Sequence, residues 1–382
     1  MKKVLLLGAS GSIGRQTLDI IEENPSDFVL TSFSVGKRHE VIPGIIEKHA
    51  EIQSIYLIDD GEAKSLRKQY PNITFYSGDN GLIKLVKKAE YDMCVNALVG
   101  FVGMEPSIRA LKRNKILCLA NKEALVTGGH IINRLLKNGK GKLYPIDSEH
   151  VALAKCLANV EPENVDKLIL TASGGALRHV PMEKLPEMKA SDALKHPTWK
   201  MGAKITIDCA TMMNKGFEII EAYYLFHYPL SKIKVMMHDE SLVHSMVKTK
   251  DGRYIVDYSK PDMHNPIRYA MYEGKAYQDV QIVNSLDELE GLHFRRFNPK
   301  RYPCVELARK ALKEGGSTLV ALNASNEVLV HAFLEDKIPF DRIPIVIQSI
   351  TDNVVKLKKP TLKQINLINE STIEKTEEVI KL

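Results

Sequence analysis

The chain's 382 residues suffice for two or three domains, and its composition (44% hydrophobic, 26% charged, 7% aromatic) is that of an ordinary globular protein with more than one core. A formal net charge of +6, from 53 Lys plus Arg against 47 Asp plus Glu, fits anionic small molecules and lacks the dense basic blocks of a nucleic-acid binder. No apolar run approaches the ~18 residues that cross a bilayer, and the apolar start Val4–Leu7 stops at Gly8, short of the ~7–15 of a signal peptide. Five cysteines (Cys94, Cys118, Cys156, Cys209, Cys304) form no Cys-x-x-Cys pair, which argues against a disulfide framework or Cys-rich zinc site and points to a reducing cytoplasm.

In the first ~150 residues, short apolar runs alternate with amphipathic stretches. Strands are expected at Val4–Leu7, Phe28–Val35, Ile55–Ile58, Ile73–Tyr76, Met93–Leu98, Ile116–Leu119 and Lys142–Pro145, with helices between several of them. Near-continuous apolar strands of this kind indicate a parallel sheet covered on both faces. From about Val151 the pattern becomes α+β. Strands are expected at Leu168–Thr171, Lys204–Asp208, Ile233–Met237, Leu242–Val247 and Arg253–Tyr258, the last two joined by a hairpin turn at Asp251-Gly252, and a helix at Ala210–Phe226. After a weakly patterned stretch, Glu290–Arg301, the end is helical. Pro303 suits a helix start, Gly315-Gly316 a stop, and Ser371-x-x-Glu374 a capping box.

The strand Val4–Leu7 runs into Gly8-Ala-Ser-Gly11-Ser-Ile-Gly14 and then into a helical pattern at Arg15–Glu22. Glycines at such a turn admit a pyrophosphate to the helix N-terminus, where free N–H groups point outward. The next strand ends at Gly36-Lys37-Arg38, without the acidic residue that would hold a free ribose hydroxyl, so the two cations suit a 2′-phosphate and NADPH over NADH. Solvated basic loop residues are the bland alternative. Ala120-Asn121-Lys122-Glu123 follows a strand, where it either reaches ligand or simply caps a helix, with Asn121 as cap and Glu123 in the first turn.

The expected strand at Lys142–Pro145 leads to Asp147-Ser148-Glu149. In an extended chain, residues i and i+2 point the same way, and two hard oxygen donors there suit Mg²⁺ or Mn²⁺. Leu170–Gly175 reads as strand into glycine turn, an anion nest or a plain turn. On the helix Ala210–Phe226, Asn214, Lys215 and Glu218 share a face and offer two phosphate donors and one carboxylate; an exposed Lys215–Glu218 ion pair is the alternative. Trp199 is the chain's only tryptophan and lies between Pro197 and Gly202, a segment suited to closing over substrate or to anchoring a core.

Taken in order, Gly8–Gly14, Ala120–Glu123, Asp147-Ser148-Glu149-His150, Ser173-Gly174-Gly175, His196–Gly202, Ala210–Gly216 with Glu218, and Ala321–Ala324 resemble the 1-deoxy-D-xylulose 5-phosphate reductoisomerase family over nearly the whole chain. The resemblance implies NADPH- and metal-dependent isomerisation and reduction of 1-deoxy-D-xylulose 5-phosphate to 2-C-methyl-D-erythritol 4-phosphate. It implies an α/β fold with a Rossmann-like parallel-sheet NADPH domain (residues 1–150), an α+β catalytic and dimerisation domain (151–288), and a linker with a C-terminal helical bundle (289–382). A cytoplasmic homodimer is expected, with no nucleic-acid or membrane partner.

The same resemblance implies that Ser10, Gly11, Ser12, Ile13, Gly36, Lys37, Arg38, Asn121, Glu123 and Gly202 contact NADPH. It makes Asp147, Glu149 and Glu218 ligands of one divalent ion (Mg²⁺, Mn²⁺ or Co²⁺), and these three with Lys122 the catalytic set. Lys122 and Ser148 would meet the diol end of the substrate, and Ser173, His196, Asn214 and Lys215 its phosphate, with Trp199 and Met201 on a closing flap. Cys209 stands where the family generally has a serine that contacts the phosphate, and a thiol is the weaker, longer donor. Two other classes fit part of the pattern. An ordinary NADP-linked dehydrogenase would need no divalent metal, and an NADPH-sensing protein would leave the three carboxylates without purpose.

Overall fold

The structure, a computed structural model, describes residues 1–195, 201–276 and 279–381. These divide into two compact units, the first made of Met1–Ala124, Ile131–Asp147 and a return segment that begins at Asp262.

The first unit is built on a parallel sheet of β1 (Lys2–Leu7), β2 (Phe28–Ser34), β3 (Ser54–Tyr56), β4 (Thr74–Tyr76), β5 (Met93–Asn96), β6 (Ile116–Leu119) and β7 (Lys142–Pro145), in the order β4-β3-β2-β1-β5-β6-β7. Val4, Leu5, Leu6 and Leu7 of β1 are all inaccessible to water, which is why that strand reads as an unbroken apolar run rather than an alternation. The connecting helices are α1 (Ser12–Glu23), α2 (Ile42–Lys48), α3 (Asp60–Gln69), α4 (Gly81–Lys88), α5 (Met104–Lys112) and α6 (Lys122–Lys137). The strand order reverses at β1, between β2 and β5, the switch point at which open parallel sheets receive ligands.

The second unit takes in Leu125–His130 of α6, then α7 (Ser148–Leu157) and β8 (Val165–Ala172), followed by the short α8 (Ala190–Ala193) and then α9 (Ala203–Thr211) and α10 (Met213–Phe226). Its sheet continues through β9 (Ile233–Met237), β10 (Val243–Thr249), β11 (Tyr254–Tyr258), β12 (Gln281–Val283) and β13 (Arg295–Arg296), in the order β12-β11-β10-β8-β9-β13. β8 and β9 pair parallel and the other neighbours antiparallel, so the sheet is mixed. Helix α11 (His264–Met271) belongs to the first unit: Ile267, Ala270 and Met271 enter the core of β1, β2 and β5. The chain ends in α12 (Pro303–Glu314), α13 (Ser317–Leu334), α14 (Arg342–Asn353) and α15 (Leu362–Lys381), whose core joins Leu322, Leu329 and Phe333 to Phe217 and Ile220 of α10. Among the described residues no helix is long and apolar enough to cross a membrane.

Four local expectations need correction. Lys204–Asp208 is helical, not a strand. The run Lys-Ile-Thr-Ile-Asp alternates like a strand, but its buried positions Thr206, Ile207, Ala210 and Thr211 recur at helical spacing. The helix expected over Ala210–Phe226 is two helices, broken where Met212 takes a left-handed conformation (φ 62°). Asp147 and Glu149 do not lie on an extended strand, because α7 already begins at Ser148. Finally, Ser371 and Glu374 are inside α15. The capping box is Thr361-x-x-Gln364, in which Gln364 N donates to Thr361 Oγ1 (3.4 Å) and Thr361 N to Gln364 Oε1 (2.8 Å).

Candidate active site

Gly8 ends β1 and α1 starts at Ser12, with Gly11 as a cap that has no side chain to spend on the first-turn N–H groups. Those donors therefore point out of the helix end, as an anion site requires. The turn tolerates no bulk: a Cβ on Gly14 would lie 2.2 Å from Gly8 O. Arg38 donates to Ser10 O, bringing its guanidinium to this turn, and Lys37 beside it is exposed. Ser10, Gly11, Ile13 and Gly36 are half-buried and Ser12 is exposed around the same rim. An anion at this turn would meet both backbone donors and a cation.

Asn121 is spent within the protein. Its side-chain oxygen accepts from Ala124 N (2.9 Å) as the N-cap of α6, while Nδ2 donates to Leu98 O (3.0 Å), Gly100 O (2.9 Å) and Glu123 Oε2 (2.9 Å). It holds the loop after β5 in place. Glu123 is buried in the first turn of α6. The capping role is realised. Gly202, exposed, precedes α9 in the second unit.

The turn from β7 into α7 carries Asp147, Ser148 and Glu149, and α10 supplies Glu218. Asp147, Glu149 and Glu218 each offer a carboxylate oxygen, and these oxygens lie within 4.8 Å of one another. Asp147 is 7% exposed and Glu218 0%. So close a cluster of buried negative charge needs positive partners. Lys122 pairs with Asp147, while Lys215 pairs with Glu218 and sits 3.1 Å from Glu149 Oε1. Asn214 Nδ2 donates to Glu218 Oε1 (2.5 Å) and Ser148 Oγ to Glu149 Oε2 (2.6 Å). The Lys215–Glu218 pair is buried, not an exposed helix-surface pair. Burial opposes the charge of Lys215, but Glu149 and Glu218 outweigh it and raise its pKa. Three hard oxygen donors without sulfur or imidazole form a donor set for Mg²⁺ or Mn²⁺. Asp147, His150 and Glu221 form a second buried group of similar closeness, with His150 Nε2 donating to Glu218 O (3.0 Å). His244 is also buried, which lowers its pKa and keeps the ring neutral.

At the end of β8 the chain turns through Ser173-Gly174-Gly175. Gly174 and Gly175 both have positive φ (83° and 69°), and a Cβ on Gly175 would lie 2.7 Å from Ala210 N and Cα. This turn therefore packs directly on the backbone of α9, beside Cys209. Burial pushes the Cys209 thiol up to about 12, so it stays neutral. Asn214 is half-buried and Lys215 buried at the start of α10, and Met201 is half-buried. His196 and Trp199 lie outside the described residues.

Several residues that shape this end were not singled out in the sequence. Arg301 Nη2 donates to Leu177 O (2.5 Å) and Val180 O (2.8 Å), and Tyr302 Oη to Gly174 O (3.4 Å). Asp208 of α9 receives Asn326 Nδ2 (2.8 Å) and Lys204 Nζ (2.7 Å). Only the i,i+4 spacing of Lys204 and Asp208 was there to be read, and it was hidden by the strand-like alternation.

Three family profiles match the chain: 1-deoxy-D-xylulose 5-phosphate reductoisomerase over residues 4–129, its C-terminal domain over 143–226, and a further DXP reductoisomerase C-terminal domain over 258–375. The 1-deoxy-D-xylulose 5-phosphate reductoisomerase of Geobacillus sp. (strain WCH70) is 42% identical over 378 residues, covering 97% of this chain and 98% of its own. That of Lysinibacillus sphaericus (strain C3-41) is 40% identical with the same coverage. A solved DOX-P reductoisomerase in complex with NADPH, fosmidomycin and magnesium superposes with a TM-score of 0.89 at 31% identity, covering 100% of this chain and 99% of its own. The Zymomonas mobilis enzyme in complex with NADPH superposes at 0.88 and 28% identity, covering 99% of each chain.

Proposed function

The chain belongs to the 1-deoxy-D-xylulose 5-phosphate reductoisomerase family, and from that premise we propose how its residues divide the work. The enzyme converts 1-deoxy-D-xylulose 5-phosphate to 2-C-methyl-D-erythritol 4-phosphate with NADPH and a divalent metal, in isoprenoid biosynthesis.

Residues 1–150 bind NADPH and supply Lys122, Asp147 and Glu149 to catalysis, 151–288 supply Glu218 and the contact of a homodimer, with α11 in the first unit, and 289–382 form the linker and helical bundle. The pyrophosphate meets Ser10, Gly11, Ser12 and Ile13 at the start of α1, and the 2′-phosphate meets Gly36, Lys37 and Arg38. Asn121 and Glu123 shape the nicotinamide end, and Gly202 closes on it. Asp147, Glu149 and Glu218 hold the divalent ion. The observation that carries this assignment is the convergence of their oxygens within 4.8 Å of one another, two of the three residues being buried. When bound, the ion supplies Lewis acidity at two substrate oxygens and NADPH supplies the hydride.

The chain's own residues do the rest. Lys122, at the head of α6, stabilises negative charge developing on the substrate oxygens, and Ser148 orients the diol. Ser173, Asn214, Lys215 and His196 hold the phosphate, with Cys209 at the family's serine position. Binding at a site apart from the reacting carbons turns phosphate affinity into turnover. Five free cysteines and the lack of any long apolar helix among the described residues support a cytoplasmic site of action.

Purified protein mixed with NADPH, Mg²⁺ and 1-deoxy-D-xylulose 5-phosphate should show loss of nicotinamide absorbance that a chelator stops. Turnover that persists after complete chelation would overturn the metal assignment and favour an ordinary dehydrogenase.

A further inference from the structure

Lys215 is only 4% exposed, and its Nζ is held by two carboxylates at once, Glu149 (3.1 Å) and Glu218. Under the reading above, on which this inference rests, those carboxylates bind the divalent ion and Lys215 binds the substrate phosphate. The two roles compete. An ammonium has three N–H donors, and one that satisfies two carboxylates has little charge or direction left for a phosphate. Lys122 stands in the same relation to Asp147.

The charges allow such an exchange. Three carboxylates facing two ammonium groups leave these five side chains one unit negative, and buried Glu221 near Asp147 adds to it, which repels a phosphate. A divalent ion carries the same charge as the two ammonium groups together, so it can replace them as the carboxylates' partner with no loss of compensation. The ion shifts the charge of the site by two units in the positive direction, which favours a phosphate. The geometry favours Lys215 as the group that leaves. Asn214 Nδ2 keeps its 2.5 Å hydrogen bond to Glu218 Oε1 and Ser148 Oγ its 2.6 Å hydrogen bond to Glu149 Oε2, so both carboxylates stay oriented when the lysine departs.

We propose that Lys215 is an exchange group: binding of the divalent ion releases its ammonium from Glu149 and Glu218, and the released ammonium then receives the phosphate, so that ion and phosphate bind cooperatively. Thermodynamic reciprocity requires the phosphate to tighten the ion by the same factor as the ion tightens the phosphate. A lysine that stayed on its carboxylates would only add fixed charge, and the cooperativity would not depend on it.

Mn²⁺ binding, followed by the electron paramagnetic resonance signal of the free ion, tests this without turnover, NADPH or sugar substrate. In wild-type protein, inorganic phosphate should tighten Mn²⁺ about fivefold or more. Lys215→Met should bind Mn²⁺ about tenfold or more tighter than wild type without phosphate, and phosphate should then add almost nothing. Unchanged Mn²⁺ affinity in Lys215→Met, or phosphate coupling as large as in wild type, overturns the exchange. Glu218→Gln separates the two ideas, because Mn²⁺ binding as tight as wild type in that variant means the ion is not held by these carboxylates and the underlying site assignment fails. Should Lys215→Met not fold, wild-type crystals with Mn²⁺ and no phosphate decide. Nζ more than 4 Å from both Glu149 and Glu218 supports exchange, and Nζ still hydrogen-bonded to either overturns it.

Discussion

Asn326 of α13 donates a 2.8 Å hydrogen bond from Nδ2 to Asp208 Oδ1 of α9, between side chains 0% and 2% exposed. Lys204 holds the other Asp208 oxygen at 2.7 Å, one turn back on the same helix. The last turn of α9 carries Cys209 and supports Gly175, and the chain then breaks at Met212 into the helix of Asn214, Lys215 and Glu218. A buried tether between residues 118 apart in sequence thus fixes the helix that leads into Asn214 and Lys215, the proposed phosphate donors.

Asn326→Leu leaves one oxygen of a buried carboxylate without its donor. Such losses cost about 1–3 kcal/mol, so the urea midpoint should fall accordingly. The Michaelis constant for the sugar phosphate should rise while NADPH affinity stays within a factor of two, because the glycine turn after β1 is in the other unit. An unchanged midpoint would show that Lys204 alone satisfies Asp208.

Cys209 gives a second expectation, in the direction of gain, under the proposal that it contacts the phosphate. The Cys209 thiol is neutral, its pKa pushed up to about 12 by burial, so it offers only a weak S–H donor beside the Ser173–Gly175 turn. Cys209→Ser supplies a stronger and shorter one. A single hydrogen bond is worth roughly 0.5–1.5 kcal/mol, which lowers the substrate KM about two- to twelvefold. Steady-state kinetics at saturating NADPH and Mg²⁺ measure it, and an unchanged or raised KM counts against phosphate contact at this position.

How much of this was legible depended on the reach of each interaction. The strands of the first sheet could be read because burial on both faces leaves an unbroken apolar run, as in Val4–Leu7. The glycine turn was legible because its restrictions are local: Gly14 meets Gly8, six residues away. Helix α9 was misread because Lys204–Asp208 alternates like a strand over five residues, and what settles its state is packing against distant residues, Asn326 among them. Asp147 and Glu149 come together for a reason other than strand alternation. They converge across the start of a helix, not along a strand. That Lys215 is buried and committed to Glu149 could not be read at all, since the partner lies 66 residues back.

The carboxylate cluster is tested most directly at Glu218, the residue with no exposure to water. Glu218→Gln keeps the shape and the oxygen that accepts from Asn214 Nδ2, but removes the charge that faces a cation. Losing a partner of a metal ligand typically costs about 10–100-fold, so Mg²⁺-dependent turnover should fall at least about 100-fold when a ligand itself loses its charge. NADPH affinity, measured by fluorescence titration, should stay close to wild type, because the glycine turn proposed to bind the nucleotide lies between β1 and α1. Full activity in the variant would remove Glu218 from the ligand set.

Glu273 provides a pH-dependent expectation away from the chemistry. It follows α11 with φ 56° and accepts from Lys2, from Lys142 Nζ (3.1 Å) and from Tyr144 Oη (3.4 Å), tying the return segment to β1 and β7. The hydrogen bond from Lys2 leads the causes that hold its carboxyl at about 2, against an ordinary value of 4.5. A depressed folded-state pKa means that the stabilisation is fully present above pH 4.5 and is lost as the pH falls towards 2. Because both lysines are open to water, it amounts to about 1 kcal/mol at most. Glu273→Gln should therefore lower the urea midpoint at pH 7, and the difference from wild type should shrink steadily below pH 4.5. A difference that stays constant across that range would mean that shape and hydrogen bonding, rather than charge, hold the return segment in place.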